Sequence, residues 1–172
     1  MSSETITTAL FMISAVIAAG VLINAVYPVV YTMAGTFSST THESDVRMRT
    51  DFKVISTVAS AGSPGTAQVW MKNTGSERIP LADIRRSDVF FGEVGNFDRL
   101  TYADVLPSAL LSGEWTEDFS SPGYDLDGNA LWDPGETLKI TAKTTIPASG
   151  NEVYFQFSLP IGVWRSHQFT VS

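Results

Sequence analysis

The residues best placed to do chemistry lie between positions 125 and 136, which read DLDGNALWDPGE. Counting Asp125 as the first, side-chain oxygens recur at positions 1 (Asp125), 3 (Asp127), 5 (Asn129), 9 (Asp133) and 12 (Glu136), with the Leu131 carbonyl at position 7. This is the ligand spacing of an EF-hand-type calcium loop. Alternate residues of a tightly wound loop point at one centre, and a final Glu can chelate through both oxygens. Position 6 departs from the pattern: it is Ala130, where the sharp turn calls for Gly, and Gly128 sits two places early. Pro134 and Gly135 lead into a strand rather than a helix. The same residues also read as an Asp/Asn/Gly/Pro turn whose side chains bond their own backbone. Both readings stay open.

No other chemical constellation emerges. The chain has no cysteine, which excludes disulfides, thiolate metal sites and a cysteine nucleophile. Its two histidines, His42 and His167, stand outside any ligand-spaced motif. The remaining carboxylates lack a base or nucleophile to work with, and there is no phosphate-binding glycine loop. The expectation is a protein that is not an enzyme. With 11 basic and 18 acidic residues the chain carries a formal charge of −7, which repels phosphate backbones and argues against nucleic acid as a partner.

The charge is unevenly spread. Residues 6–31, ITTALFMISAVIAAGVLINAVYPVVY, contain no Asp, Glu, Lys, Arg or His. As a helix at about 1.5 Å per residue this stretch spans ~39 Å, enough to cross a ~30 Å hydrocarbon core with tilt. A cleaved secretory signal needs a basic leader and a shorter apolar core; the leader here is MSSE. A pilin-type processing site needs a basic residue and Gly before the apolar stretch, and none precedes Ile6. The expectation is a retained single-pass helix in contact with membrane lipid, with Tyr27 and Tyr31 at the interface. Ala15 and Ala19, among other small residues, gather on one face where another helix can approach closely. Asn24 places an amide in hydrocarbon, and Pro28 frees its backbone carbonyl, so a kink or helix contact is expected there.

Residues 1–34 are thus read as a transmembrane helix, 35–50 as a Ser/Thr-rich neck and 51–172 as one external domain. In that domain short alternating runs between turn residues signal an all-β fold. Strands are predicted at 52–59, 66–72, 87–92, 137–143, 152–159 and 162–171, with 97–131 irregular or only partly strand. Six to eight strands in this length make an Ig-like sandwich. Val69, Met71, Val153, Phe155 and Phe157 should point to the core, with Gln68, Lys72, Gln156 and Arg165 toward water.

Three stretches carry a family resemblance: MRTDFKVIS (48–56), VWMKNTGSERIPLADI (69–84) and DPGETLKI (133–140). Together with the uncharged N-terminal segment, they resemble the FlaG family of archaellum (archaeal flagellum) stator proteins. The resemblance implies a motility protein at the cell surface, with an Ig-like domain that meets a FlaF-like subunit, the surface layer or its own copies. Rival readings are a filament subunit of the archaellin or pilin type and a membrane-tethered calcium-binding module.

Overall fold

The structure, a computed structural model, describes residues 2–119 and 124–172. It divides into two compact units, residues up to Asp45 and Val46–Ser172.

The first unit is helical. Helix α1 runs Ser2–Arg49, so the stretch 35–50 expected as a neck is helix as well, its last turn belonging to the second unit. One segment of α1 is long and apolar enough to cross a membrane. Its large side chains, from Ile6 through Tyr31 to Phe37, are exposed. Pro28 sits inside the helix. Beyond it the threonines bond back along the chain, Thr32 Oγ1 donating to the Pro28 carbonyl at 2.7 Å and Thr41 Oγ1 to that of Phe37 at 2.7 Å. This local bonding gives poor helix formers a place in a helix.

The second unit is a β-sandwich. Its strands are β1 (Phe52–Ser60), β2 (Gly62–Asn73), β3 (Ile79–Pro80), β4 (Asp88–Glu93), β5 (Asn96–Tyr102), β6 (Glu114–Asp118), β7 (Leu131–Trp132), β8 (Thr137–Ile146), β9 (Glu152–Ser158) and β10 (Trp164–Thr170). A short helix, α2 (Leu81–Arg85), follows β3. One layer orders β1-β2-β8-β6 and the other β5-β4-β9-β10, joined where β5 and β6 pair in parallel over Thr101–Glu114 and Tyr102–Trp115. All other pairings are antiparallel. The core lies between the layers. Val69, Met71, Val153, Phe155 and Phe157 are buried in it as the alternation predicts. Phe52 packs edge-on to Phe157 at 5.5 Å and beside Trp132 at 5.7 Å.

All six predicted strands form. The stretch 97–131 is partly strand, as expected: β5 and β6 fall in it, separated by the loop 103–113. Leu106 and Leu111 are exposed in that loop, which breaks the alternation used to find strands. After the turn at Asn73, Thr74 and Gly75, β3 is only two residues long, because Pro80 cannot extend a ladder and opens α2 instead.

Candidate functional site

The 125–136 loop is held at both ends by the sandwich. Trp132, fully buried, forms β7 with Leu131 against Ile79 and Pro80. Its indole Nε1 donates to the Glu136 carbonyl at 3.0 Å, and the Asn73 backbone N–H donates to the same oxygen at 3.0 Å. Gly135 N–H returns a bond to the Asn73 carbonyl at 2.8 Å. The buried Asn73 amide donates to the carbonyls of Glu77 (2.9 Å) and Trp132 (2.8 Å) and accepts from Gly75 N–H at 3.0 Å. Asn73 therefore ties the NTG turn to the acidic loop. In the sequence, Asn73 stands out only as a member of the VWMKNTGSERIPLADI stretch.

With its backbone fixed, Glu136 turns a 5 % exposed carboxylate back into the loop, Oε1 accepting from Leu126 N–H at 2.8 Å and Oε2 from Asp133 N–H at 2.9 Å. Asp125 accepts from Gly128 N–H at 2.7 Å and Ala130 N–H at 3.1 Å. Asp127 accepts from Asn129 N–H at 3.2 Å. Carboxylate oxygens of Asp125, Asp127 and Glu136 lie within 4.8 Å of one another. Ala130 has φ 59°, the left-handed turn that the spacing demands at this position, taken up by a residue with a Cβ at a cost of about 1–2 kcal/mol.

The rest of the predicted set is arranged differently. Asn129 bridges, its Nδ2 donating to Asp127 Oδ2 at 2.8 Å and Asp133 Oδ2 at 2.7 Å, while its Oδ1 accepts from Leu131 N–H at 2.6 Å. Asp133 pairs through Oδ1 with Arg78 Nε at 2.9 Å, a partner the loop sequence could not disclose. The set of hard oxygen donors suits calcium or a similar cation rather than zinc, and its first, third and twelfth residues already share one centre. Loss of solvation opposes ionisation of Asp125, but the hydrogen bonds from Ala130, Gly128 and Asn129 outweigh it and hold its carboxyl below the usual carboxylate range.

A second polar cluster lies where the two layers join. Arg85 Nε donates to Glu117 Oε1 at 2.8 Å, and its guanidinium lies 6.0 Å from the centre of the Tyr102 ring and 3.6 Å from Asp104. The bond to Glu117 raises the Arg85 pKa against some loss of solvation. Burial, then the nearby Glu117 carboxylate, pushes the Tyr102 hydroxyl above its ordinary range. An ion pair with a protonated phenol beside it is a structural brace.

Ala15, Ala19 and Asn24 lie exposed on α1. The model of archaeal-type flagellins matches residues 2–169, helix and sandwich together. The chain belongs to the archaeal-type flagellin family. An uncharacterized protein of Archaeoglobus fulgidus is 27 % identical over 144 residues, 83 % of this chain and 82 % of that one. Among solved structures, the periplasmic archaellum stator protein FlaG of Sulfolobus acidocaldarius is 23 % identical, with TM-score 0.50 over 70 % of this chain and 99 % of that one. The FlaF and FlaG stator complex of the same organism gives 22 % and 0.51 over 69 % and 87 %. The archaeal flagellum of Methanospirillum hungatei gives 18 % and 0.53 over 92 % and 91 %. At these identities the likeness is one of fold: the stator structures match a length equal to the Ig-like sandwich, and the Methanospirillum hungatei flagellum a length that takes in the helix as well.

Proposed function

We propose that this flagellin-family protein is a non-enzymatic archaellum component of the stator kind. In this reading residues 6–31 anchor it in the membrane, and the sandwich stands outside the cell. There it binds protein partners, a FlaF-like subunit and the surface layer, to hold a fixed base against which the filament turns. The observation that carries the proposal is a helix whose residues 6–31 are uncharged and exposed, followed by a compact sandwich braced by buried aromatics. Resisting torque calls for an anchor, a stiff body and contact surfaces, and for no active site. Asn24 is assigned a helix-facing role beside Ala15 and Ala19, since an amide in hydrocarbon is stabilised by an interhelical partner.

The 125–136 loop is assigned a calcium ion that braces it, held by Asp125, Asp127 and Glu136; Asn129, Asp133 and the Leu131 carbonyl complete the shell once the bonds of Asn129 and the Asp133–Arg78 pair give way. Such an ion would relieve the repulsion among crowded carboxylates.

The filament-subunit reading is the second one. It is favoured by the match to the Methanospirillum hungatei flagellum, which extends over 92 % of the chain and so takes in the helix. Deleting the gene separates the two. A stator component leaves filament subunits synthesised and processed but abolishes or cripples swimming. Loss of the major filament protein would make the chain an archaellin, and normal swimming would exclude both.

A further inference from the structure

The β5-β4-β9-β10 layer has two ends of opposite character. At one end the β4–β5 hairpin turns through Val94 and Gly95, with Gly95 at φ 89°. Val94 and Phe97 are each 44 % exposed at this tip. Around them stand the exposed carboxylates of Glu93, Asp98 and Glu152; Glu93 pairs with Val153 on β9, and Val94 N–H reaches the Glu152 carbonyl. The tip is apolar at its centre and acidic at its rim.

At the other end of β9, six residues from Glu152 and hence about 20 Å from it at ~3.4 Å per residue, Ser158 pairs with Trp164. Here an open groove of about 710 Å³ runs between the last turn of α1 and the start of β10. Trp164 (52 % exposed) and Met48 (79 %) offer it apolar surface. Arg165 bonds to Asp51, and Arg47 Nη2 reaches the Gly162 carbonyl at 3.3 Å. The groove thus carries two guanidinium groups, of which Arg165 is paired with Asp51 and Arg47 rests on a neutral carbonyl. From Val153 to Ser172 the chain has no acidic residue at all, within a protein of net charge −7.

We propose that the β4–β5 hairpin tip of one copy docks in the Arg47–Trp164–Arg165 groove of a second copy. The apolar centre of the tip meets Trp164 and Met48, and its acidic rim meets the two arginines. Copies this acidic repel one another over most approaches, whereas this one brings opposite charges together, which favours both encounter and register. The contact joins different patches on the two copies, so it repeats head to tail instead of closing a pair. It rests on the reading of the chain as part of a surface assembly, and holds for either the stator or the filament form.

The test uses the full-length chain in detergent micelles, where the absence of native cysteine gives a clean background. Chains carrying Asn96→Cys, beside the tip, mixed with chains carrying Ser166→Cys, at the groove wall, should form a mixed disulfide under mild oxidation, and neither should link to itself to a comparable extent. Adding Arg47→Glu to the Ser166→Cys chain should lower the yield at least about tenfold, with its circular dichroism unchanged. Adding Glu93→Arg to the opposing chain should then restore it. Absence of the mixed disulfide, equal self-linking, or no rescue by the charge swap would overturn the proposal. The disulfide reports the contact and swimming reports the role, so each can fail without the other.

Discussion

Asn73 and Trp132, 59 positions apart in the chain, are joined by a buried hydrogen bond of 2.8 Å from the Asn73 amide to the Trp132 carbonyl. Through it the turn after β2 and the acidic loop before β8 become one structure. Asn73→Ala would remove the amide donor from the Glu77 and Trp132 carbonyls, while the Gly75 N–H keeps its bond to the Asp51 carbonyl at 2.8 Å. The expected loss is about 2–4 kcal/mol, measured by urea unfolding of the full chain. A loss below about 0.5 kcal/mol would mean that the joint is not structural.

The acidic loop should bind one calcium ion. Calorimetric titration should show it, Asp127→Ala should abolish it, and saturating ion should raise the melting temperature, by the equivalent of about 2.7 kcal/mol at a hundred times Kd. Ala130→Gly should tighten binding and stabilise the chain by roughly 0.5–2 kcal/mol, because φ 59° suits glycine. A flat titration of both forms would remove the ion from the account.

These two predictions mark what could be read from residues alone. The spacing of Asp125, Asp127 and Glu136 disclosed three groups that do converge, because a loop's ligands are local in sequence. The pairing of Asp133 with Arg78 and the anchoring by Asn73 were hidden, because both depend on β3 meeting β7 across more than fifty residues. Strand alternation located Val153, Phe155 and Phe157 in the core. It could not locate β5, where Phe97 lies on the outer face against Tyr154 at 4.6 Å and only Leu100 turns inward to full burial. The helical neck was not legible either, since Thr and Ser side chains fit a helix only by bonding back to it.

Tyr102 predicts an alkaline limit. Its folded pKa lies above the unfolded value of about 10. The stability linked to its neutral form is therefore fully present below pH 10 and is lost as pH rises above it. Tyr102→Phe should flatten this loss between pH 10 and 12 in thermal melts; an unchanged alkaline slope would assign it to other groups.

The most direct measurement of the central claim is where the protein resides in motile cells. Filaments sheared from the cells and the membranes left behind should be compared by quantitative mass spectrometry, with the N-terminal peptides included. The account predicts the chain in the membrane fraction, with residues 6–31 retained and in amounts far below those of the filament subunit. Recovery mainly in sheared filaments, as a major chain, would contradict it and make the protein a filament subunit.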